Sequence, residues 1–129
     1  MEILQRKRAS TGNPWEREIG FSRAIRVGPV IYTAGTIASD EEGNIHGENC
    51  YQQCMYIFRK LDNVLQELGS SLDNVVKVTC FLISLEHSAD FSRAHAEVFG
   101  EVRPATTCVA VSELFGEGSL VELELIAAD

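Results

Sequence analysis

From Cys50 to Leu68 the apolar side chains recur at steps of three and four: Cys50, Cys54, Ile57, Phe58, Leu61, Val64, Leu65, Leu68. That spacing gathers them into one stripe along an α-helix. Gly69 follows directly and suits the left-handed residue that closes a helix. A long helix with a single apolar side must lay it on another element, and the flanking sequence supplies one. On both sides of the stripe the period drops to two, the signature of β-strands. "FSRAIRV" (21–27) and "VIYTAGTI" (30–37) precede it, parted by the turn signal Gly28-Pro29, and "ASDEEGNIHG" (38–47) reads as a polar loop. "VVKVTCFLI" (75–83), "TTCVAVSEL" (106–114) and "LVELELIAA" (120–128) follow it. The weak alternation of 75–83 predicts a strand buried on both faces.

A second, shorter helix is expected between the third and fourth strands. Phe91, Ala94, His95 and Val98 form its inward stripe, Ser88 is its expected cap, Asp90 favours its first turn and Gly100 ends it. Residues 9–20, "ASTGNPWEREIG", are rich in turn formers and predict an irregular lead-in. The predicted order is ββ-α-β-α-ββ in the α+β class, with a mixed sheet backed by two helices. With 129 residues and no linker-like tract, one domain spanning 1–129 is expected.

A formal charge of −8 argues against non-specific nucleic-acid binding, which needs clustered cations. No apolar run approaches the roughly 20 residues of a membrane helix. "MEILQRKRAS" at the N-terminus lacks the apolar core of a secretion signal, so a cytoplasmic protein is expected. Cys50 and Cys54 share a helix face, but no second ligand pair stands at zinc-site spacing. Small buried side chains in a reducing compartment are expected for the cysteines, and no metal.

Several residues invite chemistry. Glu122 and Glu124 alternate with Val121, Leu123 and Leu125, so both carboxylates share one face of the last strand. That pattern fits a strand with one wet face. It equally allows a carboxylate that positions or deprotonates water, if another subunit covers the face. His95 reads as a core residue or a polar contact. Cys108 has no evident His and Asp or Asn partners for a nucleophile and reads as a small side chain lining a pocket. Thr106 falls on the same side of its strand as Cys108. Arg23 and Arg26 point to opposite faces by parity, with exposure the default for both. The glycines of "FGEGS" read as a hairpin turn, with no lysine or helix to make a phosphate loop.

These stretches together resemble the Rid (reactive intermediate deaminase) or YjgF family, also known as L-PSP endoribonucleases. The resemblance runs from "IGFSRAIRVG" and "VIYTAGTIA" through "DFSRAHAEVFG" to "RPATTCVAV" and "LVELELIAA", which carry its most specific part. It implies a fold like trimeric chorismate mutase, a homotrimer with clefts between subunits, and no cofactor. It also implies hydrolysis of imines or enamines, in which an arginine clamps the substrate carboxylate and a glutamate holds the attacking water. By the same resemblance the glutamate is Glu122, the pocket cysteine Cys108 and the glycine of the family's "SGQ" Gly35. The family's pocket tyrosine is Phe21 and its asparagine His95. Its clamp arginine is Thr106, which has neither the charge nor the fork to replace it. Three functional readings follow. The first is a deaminase-like hydrolase of a small C–N metabolite, poor on 2-aminoacrylate, with Arg23 as a substitute anion contact. The second is a non-catalytic trimeric binding or scaffold protein, and the weakest is an endoribonuclease.

Overall fold

The computed structural model describes residues 3–129. Met1 and Glu2, on which the expectations for the domain start and the N-terminal segment partly fall, lie outside them. In chain order the elements are β1 (Arg6–Ala9), α1 (Pro14–Ile19), β2 (Ala24–Val27), β3 (Val30–Thr33), α2 (Cys50–Glu67), β4 (Val75–Leu82), α3 (Ser88–Phe99), β5 (Ala105–Ala110) and β6 (Val121–Ala128). The strands make one six-stranded sheet in the order β1-β2-β3-β6-β4-β5. Only β4 and β5, joined through α3, run parallel. This is the expected α+β arrangement of a mixed sheet backed by two helices.

The α2 stripe packs as its periodicity requires. Ile57, Phe58, Leu61 and Leu65 are buried against Val121, Leu123, Leu125 and Ala127 on the inner side of β6. Burying each large aliphatic side chain stabilises the fold by roughly 1.5–3 kcal/mol. Asn49 caps α2 by accepting from the Gln52 N–H at 2.8 Å. At the other end Gly69, at φ +83°, donates to Gln66 O while Ser70 donates to Leu65 O, the two bonds of a Schellman turn.

Five expectations need correction. The segment "FGEGS" closes no hairpin, because β4 lies between β5 and β6 in the sheet. The lead-in is not irregular: Asn13 accepts from Trp15 N, Pro14 takes the first helical position, and Gly20 closes α1 at φ +92°. Ahead of it β1 pairs with β2 and extends the sheet, so a strand and a helix precede the predicted series. Strand β4 is buried on one side only, since Val78, Cys80 and Leu82 lie under the helices whereas Val76 stays exposed. Ser88 does not cap α3; His87 holds that position with no side-chain hydrogen bond, and a 3₁₀ turn over Leu85–His87 capped by Ser84 leads in instead. Among the described residues no helix is long and apolar enough to cross a membrane.

Candidate active site

Strand register sorts the candidate residues onto two faces. Thr106 and Cys108 stand beside Val78 and Cys80 in the parallel ladder, so both point to the helix side. Glu122 pairs with Phe81 and Glu124 with Thr79, the opposite parity, so both carboxylates point away from the helices. Within one chain, therefore, Glu122 does not meet Thr106 or Cys108.

On the helix side, His95 Nε2 lies 2.8 Å from Thr106 Oγ1, and that hydroxyl donates to Pro104 O at 3.1 Å. A hydroxyl has one proton to give, so His95 donates to Thr106. Burial lowers the His95 pKa, and the ring lies against Phe91 and Phe99. His95 is thus both stripe residue and polar contact. Cys108 is exposed on the edge strand, unlike the buried Cys50, Cys54 and Cys80.

The other face holds a cavity of about 250 Å³ that brings together Phe21, Arg23, Gly35 and Glu122. Its position follows from a bulge. Tyr32 pairs with Ile126 and Thr36 bridges Leu123, so four steps along one chain segment meet three along the other. Gly35 sits in this irregular stretch directly under the Glu122 carboxylate. A Cβ on Gly35 would lie 2.6 Å from Glu122 Oε1, so the close approach requires glycine. Burial raises the Glu122 pKa, the neighbouring Glu124 adds to the rise, and Arg23 opposes it.

Arg23 overturns the expectation of an exposed arginine: only 4% of its surface is accessible. Its Nε donates to Glu16 Oε2 at 3.0 Å, and Nη1 donates to Gly35 O at 2.7 Å and Thr36 Oγ1 at 3.0 Å. Among the described residues Nη2 has no hydrogen-bond partner. The guanidinium lies over the Phe21 ring, 5.2 Å from its centre. Glu16 also accepts from Ser10 Oγ, Thr11 N and Thr11 Oγ1, which secures the ion pair. Arg26, on the opposite face, donates to Leu68 O at the end of α2 and pairs with Asp129.

Sequence reasoning missed seven of the residues lining this cavity, and three of them shape it most. Trp15 comes from the unpredicted α1, Phe115 from the loop before β6, and Lys60 from the polar flank of α2. The Asn-Pro start of α1, with Glu16 in its first turn and Gly20 after it, was a readable signal for the first. Lys60 carried none, because the α2 pattern marks it as a solvent-facing residue.

Residues 13–129 match the family described as Endoribonuclease L-PSP. A RutC family protein of Pyrococcus abyssi is 39% identical over 108 residues, 83% of this chain and 84% of that one. Among solved structures, a Mycobacterium tuberculosis member of the YjgF/YER057c/UK114 family superposes with a TM-score of 0.89 at 30% identity. The match covers 97% of this chain and all of that one. A Yersinia pestis protein, titled a member of the conserved Rid family of unknown function, gives 0.82 at 28% identity, covering 97% and 100%.

Proposed function

This chain belongs to the Rid/YjgF family of Endoribonuclease L-PSP proteins, and from that premise we propose that it is a single-domain, cofactor-independent, cytoplasmic hydrolase of a small imine, enamine or related C–N metabolite. The observation that carries this reading is Glu122, a carboxylate half-buried in a cavity with a raised pKa and a glycine floor. As the carboxylate it takes a proton from water, and the resulting hydroxide adds to the electrophilic carbon. The C=N electrons move to nitrogen, which picks up a proton, and collapse of the amino alcohol releases ammonia and a carbonyl compound.

The split of the candidate residues between two faces supports a site built from two copies. Glu122, Gly35, Arg23 and Phe21 of one protomer face His95, Thr106 and Cys108 of the next, within a homotrimer. Tyr32 (48% accessible) and Val109 (40%) leave apolar surface open on the sheet, which association covers. Thr106 stands where the family's clamp arginine is expected and already bonds His95 and Pro104. Loss of a charged hydrogen bond costs about 1.5–3 kcal/mol, roughly ten- to over a hundredfold in affinity, so 2-aminoacrylate is a poor substrate. The net charge of −8 weighs against RNA as the substrate.

The test is Glu122→Gln, followed by ammonia release across a panel of imines generated in situ. The variant stays folded and oligomeric and loses at least a hundredfold in turnover. Unchanged turnover removes Glu122 from the mechanism. A sedimentation profile of lone copies removes the two-copy site.

A further inference from the structure

Lys60 lies two-thirds of the way along α2, and its side chain emerges where three cavities meet. One of these is the Glu122 cavity, and the other two open beside Thr11 and Tyr56. The amine is fixed in place: Nζ donates to Ser39 O at 2.8 Å and lies 3.5 Å from Ser39 Oγ. Around it the Glu122 cavity is walled by Trp15, Phe21, Ile37 and Phe115. Arg23 lines the same space, 96% buried, with Nη2 unpartnered among the described residues. Asp40, Glu41 and Glu42 line one of the open cavities on its other side, so the amine is partly desolvated; partial desolvation against an apolar wall, next to another cation, favours a nucleophilic amine at neutral pH.

We propose that Lys60 is an amine nucleophile of this cavity, capturing the carbonyl or imine carbon of a small substrate as a Schiff base. The proposal rests on the reading that the Glu122 cavity is the reaction site. Burial, and then the Arg23 charge, press the Lys60 pKa down to about 8 against the opposing pull of the Glu16 and Asp40 carboxylates. At pH 7 a larger share of the side chain is therefore neutral amine than for an ordinary lysine.

With a ketone or aldehyde, the Nζ lone pair forms a bond to the carbonyl carbon and the oxygen takes the proton that the amine sheds. The carbinolamine then loses water, leaving C=N to Nζ. With an imine, the original nitrogen takes the protons and departs as ammonia. Water then adds to the Lys60 imine, and its collapse returns the free amine and a carbonyl compound. The unpartnered Arg23 Nη2 provides a donor for a polar or anionic group of the substrate. No oxidant, reductant or cofactor enters either sequence.

The chain has three lysines, Lys7, Lys60 and Lys77, so two internal controls accompany the candidate. The full-length protein at pH 7 is mixed with 4-methyl-2-oxopentanoate and sodium cyanoborohydride, and the sites of reductive trapping are mapped by peptide mass. A trapped lysine gains the mass of the keto acid less one oxygen. Lys60 is labelled at least tenfold faster than Lys7 and Lys77, and Lys60→Met removes that fast labelling without changing the rate at the other two. Equal rates at the three lysines, or no label at Lys60, overturns the proposal. Circular dichroism of Lys60→Met confirms that a lost label reflects lost chemistry. The Glu122→Gln variant separates this claim from the hydrolase reading. Fast Lys60 labelling with unchanged turnover in that variant sinks the water-positioning role alone, and unlabelled Lys60 with abolished turnover sinks the nucleophile alone.

Discussion

Glu16→Ala puts the most weight on the geometry around Arg23. Both partners are about 95% buried, and the carboxylate accepts four hydrogen bonds from Ser10, Thr11 and Arg23 at 2.6–3.2 Å. Truncating one member of such a pair leaves the other charge buried without its counter-ion, at a cost of about 3–5 kcal/mol. With a urea m-value of about 2 kcal/mol/M, the unfolding midpoint falls by about 2 M. Arg23→Met destabilises less, because Glu16 keeps three donors. The double variant costs less than the sum of the singles, since no lone charge remains, with a coupling of about 1–3 kcal/mol. Unfolding curves at one fixed protomer concentration measure all four corners of the cycle. Burial opposes ionisation of Glu16, but the bonds from Ser10, Thr11 and Arg23 outweigh it and lower the pKa below the ordinary 4.5. A depressed carboxyl stabilises the fold above its unfolded pKa, and that contribution fades as pH falls through the folded value. The gap between wild type and Glu16→Ala therefore narrows below about pH 4.5. A midpoint shift under about 0.5 M, or a gap that widens on acidification, refutes a buried, hydrogen-bonded pair.

Gly35→Ala drives activity and stability apart. The new methyl displaces the flexible Glu122 carboxylate from its 2.6 Å approach, so the melting temperature holds or rises while turnover falls about ten- to a hundredfold; a large loss of melting temperature contradicts this. For Glu122, whose folded pKa is raised, the stabilising contribution is present below its unfolded pKa and is lost as pH rises through the folded value. Glu122→Gln is accordingly more heat-stable than wild type at pH 7, with the difference vanishing in acid, as thermal melts across pH will show. Turnover rises with pH through an apparent pKa above 4.5, and Glu124→Gln moves that inflection to lower pH by removing a repelling charge.

The sheet and both long helices were legible because their periodicity is local: the α2 stripe and the β6 alternation each state which side is buried. Strand β4 misled because Phe81 and Ile83 read as core. The side they occupy is only half-covered in one chain, and apolar composition cannot say what covers it. Glu122, Gly35, Phe21 and Arg23 were named from the sequence, and they do share a cavity. The burial of Arg23 was not legible, since it depends on Glu16 in α1, seven residues upstream, and on the carbonyl of Gly35. Lys60 was invisible for the same reason. Its environment is assembled from Ser39, Arg23 and Trp15, none of which the helical pattern of its own segment can report.

The sheet order has a consequence for how this chain reaches its native state. Strand β6, the sixth in sequence, is third from one edge and fourth from the other, bridging β3 to β4. Until it inserts, a nascent polypeptide holds two unjoined ribbons, β1-β2-β3 and β4-β5, each exposing a strand edge primed for the wrong neighbour. Completion of the fold thus waits on β6, and ribosome-bound intermediates halted before Val121 are the forms most in need of a chaperone.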